Sequence, residues 1–373
     1  MQPTVYFHDV MSAYPAGVLD ELPGVPSYTA RALAMSRADR GDAVLIPEIV
    51  KPHLPGVRAH YERIGLGVAS TVLYGGYETL ERFSDHEMSV FIFGDQAHAV
   101  RPNQARQQAV RAHNNKNTFI DQICRVVGAP TPHTVCFDYP SQLSEVPLPY
   151  PLFVKGAESA SGQDVFRCRH EKDVAQAVAE IAKVQPQFQL QAALPEDTVF
   201  LNVQYRAVDG QVVRGPITRQ ILTGNSHDGN IHPSGANESR VWSVTDPLAE
   251  YAVREGIEEV WAYDVAWLPD GSFLVIECNP RFNGCTYYSE VARRLDLVAW
   301  EARNVQFLPG SFEGIDLGEL EYRRGQGIIV VNWGCVTEQK LGLFIAGTSD
   351  ERAWYHQEFV RRFNRRSSLY AIA

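Results

Sequence analysis

Three oxygen-bearing side chains fall on two short apolar runs that flank a tight turn at 269–271, a pattern that predicts a β-hairpin. Asp264 lies on the first run, whereas Glu277 and Asn279 lie at the end of the second. Residues two apart on a strand share a face, so antiparallel pairing brings the three side chains together. Such hard ligands suit Mg²⁺ shared with a nucleotide's phosphates. Taken alone, the same residues also fit an ordinary hairpin with solvated acids.

Three cationic side chains are candidates for binding an anion near this hairpin. Arg281 follows the second run directly, and its planar guanidinium can clamp a phosphate or a carboxylate at two points. Lys155 ends a short apolar run and precedes a loop of small residues up to Gly162, whose backbone N–H groups can cradle phosphates. The loop has no Walker A pattern. Lys116 starts a helix predicted over 115–127, where a solvated lysine is the alternative interpretation.

The order of these segments over about residues 114–308 resembles the ATP-grasp superfamily. The resemblance rests on a first lysine, a second lysine with its glycine-containing loop, the stretch Gln189 to Ala192, and Asp264 followed by Glu-x-Asn-Pro-Arg-Phe-Asn-Gly at 277–284. It implies a two-lobed fold that binds ATP together with Mg²⁺, as two ions for which Mn²⁺ can substitute.

The resemblance also implies a role for each matching residue. The lysines contact the nucleotide phosphates, the small loop closes over them, and the stretch at 189–192 reads adenine. The implied nucleotide-binding residues are Lys116, Lys155, Ser161, Gly162, Gln189, Gln191, Ala192 and Glu196, the last at the ribose. The implied metal ligands are Asp264, Glu277 and Asn279. The adenine stretch lacks the glutamate of many members, so Gln189 or Gln191 would substitute through its side-chain carbonyl.

The second substrate is expected to meet residues on either side of the metal hairpin. The resemblance places Arg281 and Asn283 opposite the reacting groups, with Gly284 beside them. The segment 216–240 is polar and rich in glycine and histidine, which predicts a functional loop. Within that segment Arg219 is the candidate for stabilising the transferred phosphoryl group or binding a carboxylate. His227 and His232 are candidates for the substrate pocket, with a self-bonded polar loop as the alternative.

The implied activity is ATP-dependent joining of a carboxylate to an amine. Transfer of the γ-phosphoryl group to a carboxylate gives an acyl phosphate, and an amine then displaces phosphate to form an amide. We expect an amino acid or small acid to be joined to an amine or a peptide in specialised metabolism, without a nucleophilic serine or cysteine.

Three other functions fit parts of the pattern. A ligase of this type can load an amino acid onto a carrier protein, for which a basic cluster of arginines offers a docking patch: Arg361, Arg362, Arg365 and Arg366. The same cluster also fits a helix face near its own C-terminus. A nucleotide-binding regulator without turnover is a further alternative. Such a protein would not need all of Asp264, Glu277, Asn279 and Arg281. A carboxylase is the third, but no biotin-attachment module is recognisable.

The elements around these residues predict a mixed α/β protein of three parts. Residues 1–113 alternate short apolar runs with helical stretches, which is typical of a parallel sheet flanked by helices and resembles a pre-ATP-grasp domain. Residues 114–310 form the predicted core, with a lid lobe at about 150–210. Residues 311–373 are predicted to be a C-terminal module packing on the core, and the stretch at 340–359 is similar to the C-terminal module of pheganomycin-type peptide ligases.

Composition excludes several classes of protein. The formal net charge of −10 argues against a broad nucleic-acid or anionic-membrane surface. The six cysteines are scattered and no apolar run approaches a membrane span, so we expect a cytoplasmic protein with reduced thiols. We expect small-molecule substrates as partners. A homodimer is one alternative, because dimers are common among relatives, although nothing in the sequence requires one.

A lid over the reaction is testable because an acyl phosphate hydrolyses easily. We expect the loop at 156–164 to close over bound nucleotide and exclude water. Limited proteolysis within this loop should therefore slow when ATP and Mg²⁺ are added. Cleavage at an unchanged rate in the presence of both would contradict a nucleotide-gated lid.

Overall fold

The structure is a computed structural model that describes residues 2–13, 26–159, 164–224, 226–312 and 316–364. It contains strands throughout the chain: Thr4–Phe7 (β1), Ala43–Ile46 (β2), Thr71–Tyr74 (β3), Glu87–Val90 (β4), Thr134–Phe137 (β5), Leu152–Gly156 (β6), Val165–Cys168 (β7), Phe188–Ala192 (β8), Val199–Val208 (β9), Gln211–Thr223 (β10), Ser226–His232 (β11), Val260–Trp267 (β12), Phe273–Asn279 (β13), Trp300–Gln306 (β14), Gly327–Asn332 (β15) and Lys340–Ala346 (β16).

Helices connect and cover these strands. The α-helices are Leu54–Arg63 (α1), Asp95–Val100 (α2), Gln104–Asn114 (α3), Lys116–Thr118 (α4), Arg125–Val127 (α5), Glu171–Ile181 (α6), Glu238–Glu255 (α7), Gly284–Arg294 (α8) and Ser349–Phe363 (α9). A π-helical segment at Phe119–Cys124 joins α4 to α5. The predicted helix over 115–127 is therefore present, and it ends at Gly128 in the left-handed conformation.

The N-terminal part contains a four-stranded parallel sheet in the order β3-β2-β1-β4. Its strands are each four residues long, and all four residues of β2 are buried. Buried strands of this kind need helices on their faces, which the 3₁₀ helices at Pro26–Ala34 and Tyr77–Phe83 provide. The predicted α/β fold class is confirmed.

A second, antiparallel sheet has the order β5-β8-β6-β7. One of its faces packs against α6 in a small apolar core that includes Val154, Leu190 and Ile181. The sheet begins at β5 and ends at β8, whereas the predicted lid ran over about 150–210. The difference arises because β9 pairs with β10 and β12 in another sheet.

The third sheet has eight strands in the order β13-β12-β9-β10-β11-β14-β16-β15. Strands β14 to β16 continue it, so the C-terminal residues extend the core sheet, and α9 packs against these three strands. The predicted loop at 216–240 is wrong for most of its length, since β10 runs to Thr223 and β11 covers Ser226–His232. Polar side chains fill those strands because one face of the sheet lines a polar site.

Helix α7 begins well before its proline. Pro247 would suit the first turn of a helix. The helix instead begins after Asn237, whose side chain accepts a hydrogen bond from the Arg240 N–H, and Pro247 lies inside it. An N-cap asparagine satisfies a free backbone donor and so fixes the earlier start.

Two chain-wide expectations concern thiols and membranes. The six cysteines form no disulfide bond among the residues that the structure describes. Within the ranges that the structure describes, no helix combines the length and the apolar character that crossing a bilayer requires.

Substitution of Gly229 tests the pairing of β11 with β14. A Cβ atom at this position would overlap the carbonyl oxygen of Ala302 on the neighbouring strand. We expect Gly229→Ala to lower the free energy of unfolding by about 2 kcal/mol, the usual range for overpacking. Gly67→Ala is the control, since a Cβ there meets open space. Equal denaturant midpoints for the two variants would contradict this strand arrangement.

Candidate active site

The predicted metal hairpin forms from adjacent antiparallel strands. Asp264 on β12 lies directly opposite Glu277 on β13, and Ala262 lies opposite Asn279. The Asn279 side-chain amide donates to Asp264 Oδ2 over 3.1 Å, which leaves Asn279 Oδ1 available as an oxygen donor. The structure thus brings together the three residues that the sequence selected.

Charge is concentrated around this hairpin. Burial raises the pKa of Asp264 above its ordinary value, and the neighbouring Glu277 carboxylate raises it further. Burial also acts to raise the pKa of Glu277, but the ammonium groups of Lys116 and Lys155 outweigh it and lower that pKa. Two close carboxylates repel each other, so a cation between them would stabilise both in the ionised form.

Both predicted lysines approach Glu277 from other elements. Lys116 is 6% exposed, and its Nζ lies 3.2 Å from Glu277 Oε2 and donates to the Ser159 carbonyl over 2.9 Å. Lys155 on β6 donates to Gln191 Oε1 over 2.7 Å. Burial lowers the pKa of Lys155 to about 8, as does the charge of Lys116, although Glu277 opposes the change. Two neighbouring ammonium groups favour a ligand with several negative charges.

The polar face of the small sheet carries the predicted adenine-reading residues. Gln189 and Gln191 alternate with buried Phe188 and Leu190, so both glutamines face away from the apolar core of that lobe. Gln189 is fully buried, and its Nε2 has no hydrogen-bond partner among the described residues. Such an amide is a strong donor for a ligand acceptor.

The other predicted nucleotide-binding residues are placed less centrally. The Ala192 N–H already donates to the His133 carbonyl over 2.9 Å. The Glu196 side chain is 92% exposed, and an Arg167 nitrogen lies 3.8 Å from its Oε1. Ser161 and Gly162 lie outside the described residues.

A polar network on the large sheet escaped the sequence analysis. Asp264 Oδ1 accepts hydrogen bonds over 2.7 Å from Asn202 on β9 and from Gln220 on β10. Gln204, two residues beyond Asn202, donates to Asn283 Oδ1 over 3.1 Å. The detectable signal was polar residues at alternate positions, which mark one face of β9 and one face of β10.

The network continues to the neighbouring strand and to α8. Asn230 on β11 donates to Thr218 Oγ1 over 2.9 Å, and its own Oδ1 lies 2.7 Å from His227 Nε2. Thr286 on α8 donates to Gln204 Oε1 over 3.1 Å. These bonds fix the side chains that border the space beside Asp264.

The residues after β13 turn into α8. Arg281 is 8% exposed and donates to Asn114 Oδ1 over 2.7 Å, which ties the hairpin to the end of α3. Asn283 is the N-cap of α8, and its Oδ1 accepts from the N–H groups of Cys285 and Thr286. Its Nδ2 is buried without a partner in the described part of the chain. A substitution at Gly284 would place Cβ 3.1 Å from His227 Cε1, so the two lie in contact.

The remaining predicted substrate residues divide between the two faces of the sheet. Arg219 is exposed, and it alternates with Thr218 and Gln220, whose side chains join the network, so its side chain lies on the opposite face. The structure therefore gives Arg219 no contact with the acidic hairpin. His232 lies near Ile217, whose carbonyl is 3.1 Å from its Nδ1, and packs against the Trp300 ring.

Comparison with solved structures identifies the fold. The chain is similar to N5-carboxyaminoimidazole synthetase from Staphylococcus aureus complexed with ADP, at 12% identity, a TM-score of 0.65 and 96% coverage of both chains. It is similar to the biotin carboxylase domain of Hydrogenobacter thermophilus 2-oxoglutarate carboxylase, at 11% identity, a TM-score of 0.63, and 90% and 88% coverage.

An L-amino acid ligase from Bacillus licheniformis is also similar, at 14% identity, a TM-score of 0.56 and 95% coverage of both chains. These structures are ATP-grasp enzymes. The chain has the ATP-grasp fold. No protein-family model matches the sequence, and a search of curated protein sequences found no match.

The ATP-grasp likeness extends well beyond the predicted range of 114–308. Coverage of 96% of the chain includes the N-terminal parallel sheet and the C-terminal strands. The predicted ATP-grasp resemblance is confirmed as a fold. The roles of individual site residues stay predictions.

Replacement of Lys155 tests the anion site between the two lobes. Lys155→Met keeps the length of the side chain but removes its charge, so binding of ADP with Mg²⁺ should weaken by about 10- to 100-fold, as for the loss of a charged hydrogen bond. Isothermal titration calorimetry would measure the dissociation constant. Lys172→Met, on the exposed face of α6, is the matched control. An unchanged dissociation constant for Lys155→Met would refute the anion site.

Proposed function

We propose that this protein is an ATP-dependent ligase that joins a carboxylate to an amine through an acyl phosphate. One observation carries the proposal: paired carboxylates from one lobe lie beside two lysines, of which Lys116 is buried and Lys155 comes from the small sheet. Opposite charges on the two sides of a cleft suit a metal–triphosphate, whose phosphates need cations and whose metal needs oxygen ligands. The ATP-grasp fold supports the proposal because its neighbours include complexes with ADP.

The residues of the hairpin fit Mg²⁺. Asp264, Glu277 and the Asn279 amide oxygen are oxygen donors from adjacent positions, and the mutual repulsion of the two carboxylates would be relieved by a cation. In the ranges described, no group of three or more His, Cys, Asp or Glu side chains could hold a metal. A metal bound by Asp264 and Glu277 would therefore also need the amide oxygen of Asn279. Bound there, Mg²⁺ would neutralise phosphate charge.

The protein's own part in the reaction is to position and to neutralise. Lys116 and Lys155 would hold the phosphates, so that the γ-phosphorus faces the substrate carboxylate. A carboxylate oxygen attacks that phosphorus, the bond to the ADP oxygen breaks, and an acyl phosphate results. The amine nitrogen then attacks the acyl carbon, phosphate leaves, and the amine loses a proton. Fixed charges lower the barrier because they need no reorganisation during the reaction.

The polar network gives the site its rigidity. Asn202 and Gln220 hold Asp264 through its Oδ1, so the carboxylate has one defined orientation towards Glu277. The buried Asn283 Nδ2 is a free donor at the start of α8 and would bind an oxygen of the reacting group. Arg281, bonded to Asn114, supplies a positive charge behind Glu277. These contacts support the sequence-based roles of Arg281 and Asn283.

A similar structure supports the proposed class of substrate. We propose an amino acid or small acid as the donor and an amine or peptide as the acceptor, in keeping with an amino acid ligase among the similar structures. The basic cluster does not favour a carrier protein, since Arg361 pairs with Glu358 and Arg362 donates to Glu319. Arg365 and Arg366 lie outside the described residues.

A phosphate-release screen tests the proposed reaction. Wild-type protein would be supplied with ATP, Mg²⁺ and paired acids and amines, with bicarbonate as one of the acids, and products would be read by mass spectrometry. Glu277→Ala should reduce release by at least about 100-fold, as for the loss of one transition-state electrostatic group. Arg281→Ala should behave in the same way.

Glu250→Ala is the control, because Glu250 is exposed on α7. Circular dichroism would establish that each variant is folded. Substantial turnover in a folded Glu277→Ala protein would contradict the metal assignment. Release that depends on bicarbonate alone, without an amide product, would instead identify a carboxylase.

A further inference from the structure

A buried arginine lies in the N-terminal part of the chain. Arg31 lies in a 3₁₀ helix at Pro26–Ala34 and is 7% exposed. Its Nε donates to the Tyr28 carbonyl over 3.0 Å. No carboxylate in the described part of the chain forms an ion pair with it. An isolated buried charge is costly, so such a guanidinium is usually matched by an anion.

Aromatic rings, in place of a carboxylate, surround the Arg31 guanidinium. It lies 4.2 Å from the centre of the Tyr287 ring and 4.9 Å from that of Tyr28. The ring faces stabilise a cation, and the guanidinium also hydrogen-bonds to Tyr287. A guanidinium has five N–H donors, so these contacts with Tyr28 and Tyr287 do not use them all. His8 holds the Tyr287 ring in place, with 2.9 Å between its Nδ1 and the Tyr287 hydroxyl.

The two histidines near Arg31 are neutral. Burial lowers the pKa of His8 well below its ordinary value, and the Arg31 charge acts in the same direction. The pKa of His227 is lowered by burial, with Arg31 again contributing, although Asn230 and Asp228 oppose the change. Both histidines therefore favour the neutral form beside the Arg31 charge.

The Arg31 guanidinium lies next to the proposed active site. Tyr287 is one turn beyond Gly284 on α8, so the two residues share a helix face. Gly284 contacts His227, and Asn283 joins the network that holds Asp264. Arg31 therefore lies beside the first turns of α8, and both its guanidinium and the helix N-terminus attract negative charge.

We propose that Arg31 and the N-terminus of α8 bind an oxyanion of the acceptor substrate, a group that does not itself react. The inference rests on the proposed ligase function and narrows its substrate class. In amide formation the donor loses its carboxylate charge, whereas an acceptor amino acid keeps its own carboxylate. A fixed guanidinium suits that remaining anion, either a carboxylate or a phosphate, and would discriminate against neutral amines.

Equilibrium binding tests this subsite without requiring turnover. Wild-type protein saturated with ADP and Mg²⁺ would be titrated calorimetrically with individual amino acids, with the corresponding amino acid amides and with phosphoethanolamine. We expect amino acids or phosphoethanolamine to bind, and Arg31→Gln to weaken that binding by about 10- to 100-fold. Binding of amides should not change. Carboxylate and phosphate ligands distinguish the two sources of the anion.

Two further variants keep the test decisive. Arg31→Lys retains the charge without the planar fork and should recover part of the affinity. Arg82→Gln removes an exposed arginine and should bind like the wild type. Melting temperatures show whether Arg31→Gln is folded, and removal of an unpaired buried charge should leave its melting temperature unchanged or higher. If Arg31→Gln unfolds, the affinity of Arg31→Lys decides the test.

The outcomes separate this inference from the proposed function. Equal affinity of wild type and Arg31→Gln for the anionic ligands would overturn the subsite, as would a wild type that binds none of them. Anion binding that depends on Arg31, in a protein that releases no phosphate with any pair of substrates, would support the subsite and reject the ligase proposal.

Discussion

The arrangement around Glu277 depends on one electrostatic constraint: its carboxylate must lie close to another carboxylate and to two ammonium groups. Asp264 and Glu277 come from adjacent strands of one sheet, Lys116 from the helix before the small sheet, and Lys155 from that sheet. Neither like-charged pair would be stable alone at such burial. The two carboxylates and the two ammonium groups together nearly neutralise one another. A metal–triphosphate would add charges of both signs and so interact favourably with both pairs. The cleft between the lobes is therefore charged in a way that a structural core would not be.

Strand alternation explains how the same sheet supports both a core and a site. On β9, Leu201, Val203 and Tyr205 pack in the main apolar core, while Asn202 and Gln204 line the polar side. The small sheet repeats the arrangement, with Leu190 in its own core and Gln191 bonded to Lys155. Each of the two sheets thus has a polar face that carries site residues and an apolar face that packs in a core.

The N-terminal part of the chain contributes directly to the region beside the site. Phe282, directly after Arg281, donates its N–H to the Phe91 carbonyl, and His8 packs on the Phe282 ring with 4.1 Å between ring centres. These contacts join the start of α8 to the carboxyl ends of the parallel strands, where α/β sheets commonly bind ligands. The likeness over almost the whole chain agrees with a site assembled from all parts of it.

The sequence by itself determined the hairpin, its three oxygen donors and the order of the two lysines, because these depend on short-range alternation and on a compact motif. It also determined the α/β class. It could not show that the polar segment at 216–240 forms two strands, since polar residues on a site-facing strand have the composition of a loop. The side of the sheet on which Arg219 lies and the approach of Arg31 to α8 were decided only by the tertiary structure. Strand pairing decides on which side Arg219 lies, and packing brings Arg31 against Tyr287, more than 200 positions away.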